Sequence, residues 1–146
     1  MAKKTATRSA QWPLLAEFYW NYNDTVVDIN GATKDLSVFG TAIVFDAINL
    51  PPGAIVQGGE LVTETAGTGS TAFTMSVGDS GSITKYLGAT DKVAAARTAL
   101  VPTGYVGTGE NIRLSITPTV ATATAGKWSL KVWYCMRDKA NETVPS

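Results

Sequence analysis

The chain has no histidine and a single cysteine, Cys135, among its 146 residues. Without imidazole, a serine or cysteine nucleophile lacks its usual general base. The common zinc, copper and non-haem iron sites lose their principal nitrogen ligand as well. One cysteine excludes an intrachain disulfide, and within an alternating apolar run it reads as a small packed hydrophobe. Charge is also scarce. Twelve basic and 12 acidic residues cancel, and together they make up 16% of the chain, against roughly 25% in soluble domains. Zero net charge argues against direct nucleic-acid binding, which requires a basic excess across the fold. No run of about 18 apolar residues exists, and the basic N-terminus lacks the apolar stretch of a signal peptide. The expectation is a protein made and kept soluble in a cytoplasm, with no membrane partner.

What the chain does contain is period-two alternation between Gly- and Pro-rich turns. Phe73-x-Met75-x-Val77, Ile112-x-Leu114-x-Ile116 and Trp128-x-Leu130-x-Val132-x-Tyr134 each place alternate side chains on one face of a sheet. Residues 12–20 and 25–29 read as strands, with Asn30-Gly31 as a turn. Residues 36–48 read as one longer strand, apolar on both faces. Leu50-Pro51-Pro52-Gly53 stops it, since proline lacks a ladder donor and glycine allows the turn. Residues 54–56 then lead through Gly58-Gly59 into a strand at 60–65, and further strands are expected at 71–77, 111–117 and 127–137, with a further candidate at 82–87. Residues 91–100 are the one helical-looking piece, with Asp91 as N-cap and Ala94, Ala95 and Ala96 as good formers. At this length one core suffices. The predicted fold is an all-β sandwich of about eight antiparallel strands with one short helix and flexible termini. Jelly-roll and immunoglobulin-like arrangements both fit such spacings. A charge-poor surface suits either a protein partly covered by partners or an ordinary sandwich with Thr on its outer faces.

No constellation of catalytic side chains emerges, so an enzyme is not expected. Gly78-Asp79-Ser80-Gly81-Ser82 resembles a serine-protease nucleophile segment, but with no histidine it reads as a turn. Glu60 and Glu64 point to one side of a strand. Their Cα atoms are then about 13 Å apart, too far for paired-carboxylate glycoside chemistry. Asp79, Asp91 and Glu110 lie in or beside loops without forming a calcium-loop pattern. The glycine-rich turns do not open a helix after a strand, so a phosphate loop is unsupported. No cofactor and no metal site are predicted.

Binding chemistry is left to the termini and the aromatics. Residues 1–12 form a basic arm carrying Lys3, Lys4 and Arg8, followed by the sandwich domain at 13–137 and a polar tail at 138–146. Such an arm suits folding onto an acidic surface or a neighbouring subunit, and it equally suits an ordinary frayed terminus. Trp12 and Trp20 bracket an apolar, aromatic run. Trp128 and Tyr134 share a face with Leu130 and Val132 and read as core, whereas Trp133 lies on the opposite face. Trp133 is open to three readings: the core of a second sheet, a protein interface or a carbohydrate platform.

The middle of the chain carries a family pattern. Leu50-Pro51-Pro52-Gly53-Ala54-Ile55-Val56-x-Gly58-Gly59 is followed by Phe73-Thr74-Met75-Ser76-Val77-Gly78-Asp79 and Tyr86-Leu87-x-Ala89-Thr90-Asp91. Arg97-Thr98-Ala99-Leu100 and Pro102-Thr103-Gly104-Tyr105 come next, and Ala125-Gly126-Lys127-Trp128-x-Leu130-x-Val132-x-Tyr134 closes it. Over roughly residues 45–137 this resembles the head decoration, or cement, proteins of tailed bacteriophages. The resemblance implies a jelly-roll virion protein on the capsid exterior that bridges neighbouring major capsid proteins, with no catalytic residues to carry over. It further implies a homo-oligomer, most simply a dimer on a twofold position. Lys3, Lys4 and Arg8 would then meet acidic capsid surface, with Trp12, Trp20 or Trp133 as anchors. The competing expectation is a tail- or fibre-associated module binding carbohydrate or a receptor.

Overall fold

The computed structural model describes residues 13–137. The strands are β1 (Leu14–Asn21), β2 (Thr25–Val27), β3 (Thr33–Asp35), β4 (Ile43–Ile48), β5 (Ala54–Thr68), β6 (Ala72–Gly78), β7 (Leu87–Asp91), β8 (Arg97–Ala99), β9 (Ile112–Thr119) and β10 (Ala125–Met136). Two four-stranded sheets, β1-β10-β5-β8 and β4-β9-β6-β7, face each other, and β2 and β3 form a separate hairpin. Every pairing is antiparallel, and four of them are nested: β1 with β10, β4 with β9, β5 with β8 and β6 with β7. A long hairpin folded back on itself in this way is a jelly roll, which decides between the two sandwich types.

Alternation builds the core. Val56, Leu61, Leu130 and Val132 of the first sheet meet Phe45, Phe73, Met75, Val77, Leu114 and Ile116 of the second. An aromatic series ties the two layers together. Phe18 stacks on Trp20 at 5.4 Å and contacts Phe45 at 5.7 Å, while Trp128 lies 6.3 Å from Trp20 and 4.8 Å from Phe73. Gly126, at φ 143°, makes room for this arrangement, because a Cβ there would overlap the Trp128 ring.

Three expectations about elements are corrected. Residues 91–100 contain no helix; they run from the end of β7 through a loop into β8. Asp91 does not cap a helix, and its Oδ1 accepts from the amides of Phe73 and Val93. The carbonyls that a helix would use internally are taken by the sheet: Ala96 O accepts from Thr63 N, and Val93 O from Gly67 N. Three alanines supply propensity but no apolar stripe to bury, so tertiary hydrogen bonds win. Of residues 36–48 only β4 is strand; the preceding stretch is loop, with Val38 and Phe39 exposed. Residues 82–86 are turn rather than strand, and β7 starts only at Leu87.

Candidate partner-binding surface

Three loops, both ends of the described chain and an exposed sheet face converge at one end of the sandwich. The β4–β5 turn is joined to the β8–β9 loop by Gly53 N to Gly107 O (2.7 Å) and Gly107 N to Ala54 O (2.8 Å). Arg137 N donates to Gly53 O at 2.8 Å, which ties the exit of β10 to the same turn. At the start of the chain, Leu14 of β1 pairs with Tyr134 of β10. Pro13 and Arg137, to which residues 1–12 and 138–146 attach, therefore lie side by side at this end.

Polar chemistry holds the loops in place. The Asp79 carboxylate is buried; its Oδ1 accepts from the amides of Gly81 (2.9 Å) and Ser82 (3.1 Å), and its Oδ2 pairs with Lys85. An aspartate reading its own downstream amides is a turn device. Ser82 Oγ lies 3.4 Å from Thr84 Oγ1, and Lys85 is committed to Asp79. The Lys85 ammonium also sits 3.8 Å over the Tyr105 ring. Tyr105 donates its hydroxyl to Glu110 Oε1 at 2.8 Å, and Thr108 donates its hydroxyl to the same oxygen at 2.8 Å. These donors hold the Glu110 carboxyl down at about 2, with the Thr108 hydroxyl contributing most. Burial, reinforced by the charge of Asp79, pushes the Tyr86 phenol up to about 12. The chemistry available here is rigid positioning of Tyr105 and Val101, both exposed.

The outer face of the first sheet runs away from this end in cross-strand rows. Leu15, Trp133 and Gly58 form one row, and Glu17, Lys131, Glu60 and Ala99 the next. Glu60 takes a two-pronged contact from Arg97, with Nε at 3.0 Å, and has Lys131 Nζ at 3.9 Å. Glu64 faces Lys127 at 3.7 Å. Both carboxylates are thus ion-pair members on an outer face, and Arg97 keeps Glu60 below the ordinary carboxylate range. Among the described residues no group of three or more His, Cys, Asp or Glu is arranged to hold a metal.

The candidate anchors separate clearly. Trp133 lies half-buried on the outer face beside exposed Leu15, its Cε3 in ordinary contact with the space above Gly58. Trp20 is only 2% exposed and belongs to the inter-sheet aromatic series, which removes it from the surface anchors. Strand parity explains the difference: Trp20 follows Ala16 and Phe18 inward, while Leu15, Glu17 and Tyr19 turn outward. Lys3, Lys4, Arg8 and Trp12 lie outside the described residues. The Lys85–Tyr105–Glu110 arrangement carries no local signal beyond turn composition, because Lys85 of the β6–β7 loop meets Tyr105 and Glu110 of the β8–β9 loop only in the folded chain. At the opposite end, a cleft of about 350 Å³ lies among Lys34, Val38, Phe39, Ala42 and Ile43.

No protein-family model matches the chain, and no curated relative matches it. Solved structures do resemble it. A chain of the Cyanophage Pam1 capsid asymmetric unit superposes with a TM-score of 0.59 at 22% identity, over 91% of this chain and 92% of its own. A chain of the acidic stable capsid structure of Helicobacter pylori bacteriophage KHP30 gives 0.57 at 19% identity, covering 85% and 87%. A chain of the Ralstonia phage GP4 capsid gives 0.56 at 13% identity, covering 95% and 93%. At these identities the likeness is one of fold, and it extends over nearly the full length of both partners.

Proposed function

We propose that this chain is a non-enzymatic virion structural protein that binds the outer surface of a phage capsid and cements neighbouring major capsid proteins. The observation that carries this reading is the near end-to-end fold match to three chains, each from a phage capsid structure. Its architecture supports the same role. A shell under internal pressure gains stability from any protein that binds only its assembled form. A closed sandwich with pinned loops offers the rigidity such a clamp needs. Both chain ends attach at one end, so arms of residues 1–12 and 138–146 can engage one partner surface together with Tyr105, Val101 and Trp133. Lys3, Lys4 and Arg8 would pair with acidic capsid groups, and Trp12 and Trp133 would anchor apolar contacts. A homo-oligomer, with a dimer favoured, suits the symmetry of a shell.

The test mixes purified protein with mature capsids lacking it and follows co-sedimentation and the capsid melting temperature. Saturable binding with a raised melting temperature is expected, and deletion of residues 1–12 should lower occupancy at fixed protein concentration. No binding to capsids would move the assignment to a tail- or fibre-associated carbohydrate-binding module, and a glycan screen would then find its ligand.

A further inference from the structure

A jelly roll has four sheet edges, and three of them here are short or partly bonded. β8 has three residues and β7 five, so each offers less free ladder than β1 does. β4 has six residues, and one carbonyl on its edge is already taken, because Ile29 N donates to Val44 O at 3.0 Å. β1 is different. It has eight residues, pairs with β10 in unbroken register from Leu14 to Asn21, and carries one charge, Glu17. Tyr22 N donates to Gly126 O at the end of β10's side, whereas Asn21 N turns away to Asp24 Oδ2 at 2.7 Å. By alternation, the N–H and C=O groups of Leu15, Glu17 and Tyr19 face the open edge. No bond from them to any described residue is present. Leu15 and Tyr19 are 51% and 48% exposed.

We propose that β1 pairs antiparallel with β1 of a second copy across a twofold axis at Phe18, joining two four-stranded sheets into one. This names the interface of the homo-oligomer suggested above and rests on that part of the reading alone. Opposed residues in a ladder point to the same face, so outward residues must meet outward ones and the axis must pass through a residue. Two such registers overlap best. An axis at Glu17 sets that carboxylate against its own copy, a like-charge contact. An axis at Phe18 sets Glu17 against the second copy's Tyr19 and Phe18 against itself beside Phe45, and leaves the Asn21 amide and carbonyl on their own Asp24. In that register Glu17 and Tyr19 exchange both backbone hydrogen bonds. The formal net charge of zero adds no long-range repulsion between copies.

Size-exclusion chromatography with light scattering on the full chain tests this, with circular dichroism to confirm that each variant is folded. The wild type should have twice the mass of one chain. Tyr19→Glu places carboxylates opposite each other twice across the axis and should weaken the dimer by about tenfold or more. The double substitution Glu17→Lys/Tyr19→Glu restores opposite charges in this register and should restore the dimer. A folded monomeric wild type overturns the proposal, as does an oligomer that Tyr19→Glu leaves intact. A dimer insensitive to the charge swap overturns the register. Capsid co-sedimentation by a monomer would leave the cement reading standing while this interface fails. A β1 dimer that ignores capsids would do the reverse.

Discussion

Single residues separate packing from polar satisfaction most clearly at the two core tryptophans. Trp128 Nε1 donates to Lys92 O at 2.9 Å, whereas Trp20 Nε1 is buried with no acceptor among the described residues. Both rings are close to fully buried. Trp128→Phe should therefore lower stability by about 1–2 kcal/mol more than Trp20→Phe, because only the former breaks a made bond; urea denaturation of the two variants measures the difference. Lys92 poses the opposite problem, a cation 1% exposed whose Nζ reaches Thr98 Oγ1 at 2.9 Å and Ala96 O at 3.2 Å. Burial pulls its pKa below the ordinary lysine value, against the opposing charge of Asp91. Keeping that charge in the core is costly, so Lys92→Met should lie within about 1 kcal/mol of wild type or above it. Lys92→Ala also leaves a cavity and should lose about 3 kcal/mol. Glu110 supplies the acid dependence. A carboxyl held at about 2 against an ordinary 4.5 stabilises the fold above pH 4.5, and that contribution disappears as pH falls through 2. The melting-temperature gap between wild type and Glu110→Gln should be widest near neutrality and close towards pH 2.

At the scale of elements, the β7–β8 connection shows why local propensity was overruled. Its alanines favour a helix, yet Lys92 O accepts from both Trp128 Nε1 and Thr63 Oγ1 (3.0 Å), and Lys92 N donates to Phe73 O. This loop acts as a strap between the sheets. Gly126 serves the same junction from β10, and Gly126→Ala should cost about 3 kcal/mol by forcing the Trp128 ring aside at a positive φ. Thermal denaturation reads that loss directly. By contrast β10 and β6 are legible from alternation, because their large apolar residues recur at every second position: Trp128, Leu130 and Val132, and Phe73, Met75 and Val77. The stretch before β4 differs from its local pattern: apolar residues on both faces of 36–42 suggest a buried strand, and the loop they form leaves Val38 and Phe39 exposed.

At the scale of the whole molecule, the nested pairing brings distant segments to one end. Leu14 meets Tyr134, Gly53 meets Arg137 and Gly107, and Lys85 meets Tyr105. If this end engages a capsid, substitutions there should lower occupancy while leaving the melting temperature of the free protein nearly unchanged. Trp133→Ala is the sharpest such test, because its ring is half-buried on an outer face and supports little of the inter-sheet core. Substituting Phe39 at the opposite end should leave capsid occupancy at the wild-type level. Co-sedimentation across a protein titration distinguishes the two ends.

The sequence by itself determined the fold class, the strands of the sealed sheets and the lack of histidine-based chemistry, since period-two burial and composition are local properties of the chain. It placed Trp128 in the core and Trp133 on the opposite face for the same reason. It did not determine the jelly-roll order, the burial of Trp20 or the loss of the helix at 91–100. Each of those depends on which distant carbonyl, ring or edge a segment meets, and the energy of such contacts is set by the neighbour, not by the segment. Only the tertiary structure brought Pro13 and Arg137, the two ends of the described residues, to one end and left β1 as a long edge strand unpaired among the described residues.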